Sequence, residues 1–126
     1  MDEFALIERY FRRPDHPPGD GVVLFTPVYH AFFRVIEASG REVVQCPLVN
    51  RDGRYEMDFD AYDAMMTGSE KMLVLCSPHN PGGRVWTQEE LTALAAFAKR
   101  HDLILVSDEI HGDLVFPGQT HIPMAC

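Results

Sequence analysis

Two short runs, GVVLFT at 21–26 and MLVLC at 72–76, are apolar at nearly every position rather than at every second one. Successive side chains of a strand point to opposite faces. A strand built from such a run therefore needs cover on both sides, the condition of a parallel sheet between layers of helices and not of a half-solvated antiparallel sheet. The segments between the runs supply those helices. Phe4, Ile7 and Phe11, flanked by Leu6 and Tyr10, recur at helical spacing over 4–13, and the pattern breaks into a loop at 14–19. Over 29–39, Phe32, Phe33 and Ile36 share one side, and Gly40 follows where a helix-ending glycine belongs. REVVQCPL (41–48) predicts another strand and NRDGRY (50–55) a turn with Asp52-Gly53 at its tip. A short helix capped by Asp58 is predicted over 58–66. Thr87 and Glu90 have the spacing of a capping box, ahead of a buried stripe of Leu91, Leu94, Ala95 and Ala98. A fourth strand is predicted over 103–107 and a short fifth over 114–116. Strands alternating with helices in this way predict an α/β fold, a mostly parallel sheet flanked by helices.

At 126 residues the chain is long enough for one core and too short for two, so 1–126 reads as a single domain. Four or five strands leave open sheet edges, and QTHIPMAC (119–126) runs on without a closing element, so the domain reads as partial, a piece of a larger one. Eleven Lys and Arg against 19 Asp and Glu give a formal charge of −8. Such a surface repels phosphate backbones and anionic lipid, and neither nucleic acid nor a membrane is expected as a partner. Cys46, Cys76 and Cys126 show no C-x-x-C spacing and two lie in or beside apolar runs, which predicts buried thiols and a reducing compartment. With no apolar run of the ~18 residues that cross a bilayer and no signal-peptide pattern in MDEFALIERYFRR, the expected location is cytoplasmic.

In open parallel sheets ligands bind beyond the carboxyl ends of the strands, where loops and helix starts present free N–H groups. After the first strand comes Pro27-Val28-Tyr29, after the third SPHNPGG (77–83), and after the fourth Asp108-Glu109-Ile110-His111. On a parallel sheet these loops meet at one edge and bring together an aromatic ring, an amide and a carboxylate. Each has a plainer reading: Tyr29 as a core aromatic, Asn80 as a turn residue, Asp108 with Glu109 as a helix cap or solvated pair. Asp108, Glu109, His111 and Asp113, with His121 nearby, offer carboxylates and imidazoles to a metal, but not at the i, i+4 spacing of a helical metal site, and no metal is expected.

Taken in order, T-P-V-Y, S-P-H-N-P-G-G and S-D-E-I-H-x-D-L-V-F resemble the pyridoxal-phosphate enzymes of the aspartate-aminotransferase fold (fold type I), class I and II. PHNPGG, DEIHxDL and HIPMA are most similar to the cystathionine β-lyase-like branch, and the resemblance runs from about residue 18 to 125. It implies that the chain is a partial large domain of such an enzyme, with pyridoxal 5'-phosphate as cofactor. In the terms of the family, Asp108 hydrogen-bonds the pyridine nitrogen, Asn80 donates to the phenolic oxygen and Tyr29 stacks on the ring. His111 falls where many relatives outside the branch place a tyrosine that touches the same oxygen, and its role stays open between cofactor contact and structural histidine. Pro78 and Pro81 would fix Asn80, and Gly82-Gly83 would let the chain turn. The implied activity is carbon–sulfur β-elimination on an amino-acid substrate such as cystathionine, releasing a thiol, pyruvate and ammonia, with amino-group transfer as the alternative. A homodimer is implied for the full-length form.

The family also uses a lysine that binds the cofactor as a Schiff base. The two lysines here, Lys71 at the start of the third strand and Lys99 on the polar side of the capped helix, do not lie in the S-x-x-K loop that carries it. No catalytic residue is therefore assigned, and the N-terminal arm, the small domain and the groups for phosphate and substrate carboxylate are likewise expected outside these residues. The chain is then either a segment of a complete enzyme or a truncated, inactive product.

Overall fold

The computed structural model describes residues 3–13 and 18–124; Cys126 and most of the 14–19 loop lie outside them. In chain order the elements are α1 (Glu3–Phe11), β1 (Gly21–Thr26), α2 (Ala31–Ala38), β2 (Glu42–Pro47), β3 (Val49–Arg51), β4 (Arg54–Glu56), α3 (Phe59–Met65), β5 (Glu70–Cys76), α4 (Gln88–Arg100) and β6 (Ile104–Asp108). Four strands form one sheet in the order β2-β1-β5-β6, every pair parallel.

The unalternating runs are covered on both faces. Val22, Leu24, Met72, Val74 and Val106 pack with Ile7, Phe11, Phe32 and Ile36 of α1 and α2. Val23, Phe25, Leu73 and Leu75, of opposite parity, pack with Tyr62 of α3 and Leu91, Leu94 and Phe97 of α4. Burial at every position of 72–76 is thus the sum of two alternating patterns.

Local signals explain the helix ends. The Asp58 side chain accepts from Ala61 N at the start of α3. Thr87 and Glu90 close a reciprocal capping box on α4. Gly40, at φ +73°, ends α2, and Arg41 N returns to Ile36 O. At the amino end of the sheet the carboxylate of Glu70, 4% exposed, accepts from Thr67 N, Thr67 Oγ1 and Gly68 N.

Two expectations are corrected and a third is borne out and extended. Residues 114–116 form no strand: they lie between a turn at 110–113 and the Pro117-Gly118 turn, pair with no neighbour, and leave Leu114 and Phe116 76% and 83% exposed. NRDGRY is more than a turn, because β3 and β4 extend it into an antiparallel hairpin. Asp52 and Gly53 both take positive φ there, as a two-residue hairpin loop requires, and Gly53 N is held by Asn50 Oδ1. In α4 the inward stripe is Leu91, Leu94, Phe97 and Ala98; Ala95 faces solvent, since it is Phe97 that falls three residues after Leu94 on the core side.

Candidate functional site

From β1 the chain moves to β2 on one side, and from β5 to β6 on the other. The switch point of the sheet therefore lies between β1 and β5, the place where parallel α/β sheets open a crevice at their carboxyl ends. The β1–β5 ladder stops at Leu24↔Val74, whereas β5–β6 runs to Cys76↔Asp108. The loop that carries Tyr29 follows β1 on one side of this point, and the loop that carries Asn80 follows β5 on the other.

The 77–83 segment is fixed mostly by its own backbone. Ser77 N donates to Asp108 O at 2.9 Å, His79 N to Arg84 O at 2.8 Å and Gly83 N to His79 O at 2.8 Å. Asn80 N donates to Cys76 Sγ at 3.4 Å, while the Asn80 side-chain amide makes no hydrogen bond to a described residue. It lines a cleft of about 570 Å³ together with His111, Arg54, Arg84 and Gln119. No acidic side chain is among the described residues lining that cleft, although the chain as a whole carries −8.

Asp108 ends β6 beside Cys76, is 5% exposed, and accepts from Ile110 N at 3.1 Å through Oδ1. His111 follows it into the cleft that Asn80 lines. Tyr29 is half-exposed on the loop after β1, edge-on to Phe32 and His30, so it borders the core without filling it. The structure thus brings Asn80 and His111 into one cleft and sets Asp108 and Tyr29 on the same edge of the sheet outside its lining. Lys71 lies one residue into β5, at the opposite end, with Nζ on Gly68 O at 3.0 Å. Lys99 is exposed near the end of α4.

Sequence reasoning missed the residues that brace these groups. His79, 3% exposed, reaches Pro27 O with Nε2 at 2.7 Å and meets Trp86 edge-on at 5.5 Å. Burial holds its pKa below the ordinary histidine value, the nearby Arg84 charge pushes the same way, and the Pro27 and Cys76 carbonyls oppose. Arg84 lies over the Trp86 ring at 4.3 Å, donates to Tyr55 O at 2.6 Å and forms a two-pronged ion pair with Glu90. Trp86 Nε1 donates to Cys76 O at 2.9 Å. Glu109 accepts from Met124 N and Ser107 Oγ at 2.8 Å and meets His121 Nε2 at 3.2 Å. Burial pushes the Glu109 carboxyl up, but those hydrogen bonds outweigh it and hold it below the usual range. Glu109 is therefore a structural tie for 121–124. A histidine inside a Pro/Gly loop was the one signal available for His79.

The sequence model of the aminotransferase class I and II family matches residues 5–125. The chain belongs to that family. Within it, cystathionine beta-lyase PatB of Bacillus subtilis (strain 168) is 41% identical over 109 residues, which cover 86% of this chain and 28% of PatB. The crystal structure of cystalysin from Treponema denticola, which contains a pyridoxal 5'-phosphate cofactor, has a TM-score of 0.84 at 39% identity, covering 94% of this chain and 31% of cystalysin. N-succinyldiaminopimelate aminotransferase from Mycobacterium tuberculosis has a TM-score of 0.80 at 35% identity over 86% of this chain and 28% of its own. This aminotransferase-family chain spans less than a third of the length of these relatives. No helix among its described residues is long and apolar enough to cross a membrane.

Proposed function

We propose that the chain is a segment of the cofactor-binding domain of a pyridoxal 5'-phosphate-dependent carbon–sulfur β-lyase, homodimeric at full length, acting on a sulfur-linked cysteine conjugate. The carrying observation is the Asn80 amide, which lines the cleft and bonds to no described residue while the backbone around it is bonded. The donor set fits the cofactor: an aromatic face at Tyr29, an amide at Asn80 and a buried carboxylate at Asp108, all at the carboxyl edge of one parallel sheet. When bound, pyridoxal 5'-phosphate supplies an electron-accepting ring for the charge left at a substrate Cα after proton loss. Asp108 holds a proton on the ring nitrogen by accepting its hydrogen bond, Asn80 donates to the ring's anionic oxygen, and Tyr29 covers one face. His111 shares Asn80's cleft and donates to the same oxygen. The absence of carboxylates from that cleft keeps repulsion away from an anionic ligand. Neither Lys71 nor Lys99 stands at this edge, so the chain by itself does not turn over substrate. The lyase assignment draws on the likeness to PatB and cystalysin.

The test is made on the full-length polypeptide that carries these residues, with added pyridoxal 5'-phosphate and cystathionine. A lyase releases thiol, pyruvate and ammonia in equal amounts with no 2-oxo acid acceptor present. Asn80→Ala lowers kcat/KM by roughly 10–100-fold, the cost of a hydrogen bond to a charged group. Amino-group transfer to an added 2-oxo acid without thiol release overturns the lyase reading in favour of an aminotransferase.

A further inference from the structure

We propose that His79 is a positioning residue that sets the width of the crevice at the switch point, holding the loop of Tyr29 against the loop of Asn80. The inference rests on the reading that these two side chains contact the cofactor. Parallel pairing between β1 and β5 ends at Leu24↔Val74, so beyond that point no ladder bond fixes the distance between the two strands. The His79 side chain crosses this gap: Nε2 lies 2.7 Å from Pro27 O, 52 residues away in sequence. A carbonyl oxygen only accepts, so Nε2 carries the hydrogen of this bond. Pro27 stands two residues before Tyr29, and His79 immediately before Asn80. One bond therefore couples the backbones of both proposed ring contacts.

The rest of the surroundings lock the imidazole itself. Its backbone N–H and C=O are both engaged inside the loop, by Arg84 O and Gly83 N. The ring meets the Trp86 ring edge-on. On the remaining side a Cβ at Gly82 would fall 2.6 Å from His79 Cδ2. Gly82 has no positive φ, unlike Gly83 at +68°, so the first glycine of the pair makes room for the imidazole and the second makes the turn. On the other flank of the β1 loop, Leu48 N donates to Thr26 O at 2.8 Å. The loop is thus gripped from β2 by backbone and from β5 by His79.

The experiment compares His79→Leu and His79→Gln in the full-length polypeptide. Leu fills the space without a donor; Gln restores an N–H at the end of a side chain of similar reach. Two quantities are read: hydrogen exchange of the Phe32 and Leu48 amides, which donate to Tyr29 O and Thr26 O, in the cofactor-free protein, and the Kd for pyridoxal 5'-phosphate. His79→Leu is expected to speed exchange at these two amides at least tenfold and to raise the Kd at least tenfold, with His79→Gln returning both to within about threefold of the parent. If the Leu variant leaves exchange at both amides unchanged, or Gln behaves as Leu does, His79 is packing alone and the proposal is overturned. If the Leu variant does not fold, the Gln variant decides: a folded Gln protein with tenfold faster exchange at these amides also overturns it. A parent protein that takes up no pyridoxal 5'-phosphate refutes the functional reading instead, and the exchange comparison still decides the coupling.

Discussion

Replacing Gly82 by Ala tests the packing around His79 without touching a proposed ligand contact. The new methyl would stand 2.6 Å from His79 Cδ2 and 3.0 Å from Tyr55 Cδ2, where ordinary contacts begin at 3.4 Å. The imidazole must retreat by about 0.8 Å, yet Trp86 blocks one direction and the 2.7 Å bond to Pro27 O restrains another. Over-packing of this kind costs about 1–3 kcal/mol. Loss of the hydrogen bond adds about 1 kcal/mol, giving a total of about 2–4 kcal/mol. Urea unfolding is the assay, with a lower midpoint and an unchanged slope expected. Gly83→Ala is the control: its neighbour, Pro81 O, is 3.9 Å away, and only the φ of +68° is strained, for about 1 kcal/mol. The decisive comparison is Gly82→Ala in a His79→Ala background, where the 2.6 Å clash is gone and the 3.0 Å approach to Tyr55 Cδ2 is the close contact that remains. There the penalty falls by about 1–3 kcal/mol. A Gly82→Ala protein within about 0.5 kcal/mol of the parent, or a penalty identical in both backgrounds, refutes the reasoning.

Three further outcomes follow from the same geometry. Glu70 is held below its ordinary pKa: burial raises it, but its own backbone N–H and those of Thr67 and Gly68, with the Thr67 hydroxyl, outweigh burial. Its contribution to stability is complete above the ordinary glutamate value of about 4.3 and is lost as pH falls through the lower folded value, so Glu70→Gln, costing about 1–3 kcal/mol at neutral pH, flattens the acid side of a Tm-against-pH curve. Thr87→Ala removes the capping acceptor of Glu90 N and lowers stability by about 1 kcal/mol in urea unfolding, with Thr87→Ser close to the parent. Cys46 is fully buried, and burial first, then the Glu70 charge, push its thiol up to about 12; iodoacetamide therefore labels it in urea and not in the native protein, as followed by mass spectrometry.

The parallel sheet was legible because 21–26 and 72–76 lack alternation, and the caps at Asp58 and Thr87 because each bonds within four residues of itself. Local chemistry needs no knowledge of the rest of the chain. The fifth strand failed for the converse reason: 114–116 has strand-forming composition, but a strand exists only where a neighbouring edge is in register, and that is not written in three residues. Phe97 displaced Ala95 because a stripe counted from Leu91 and Leu94 does not say which side of the next turn meets Tyr62 and Phe59. His79 was invisible in its role because Pro27 lies 52 residues away.

The motif SPHNPGG divides its tasks unevenly, and that division argues for a ligand. The Ser77 amide fastens the loop to the end of β6, and Pro78 O receives the Cys76 thiol at 3.4 Å. His79 binds Pro27 O, Gly82 clears space for its ring, and Gly83 turns the chain back to His79 O. Each of these groups answers a structural demand inside the fold. A turn asparagine meets such a demand too, by bonding its side chain to nearby backbone, as Asn50 does with Gly53 N in the β3–β4 loop. Asn80 does not, although its backbone N–H is bonded and its neighbours are fixed. The Asn80 amide is the group of this loop that the fold leaves to the cleft, and that is the support for the role proposed for it.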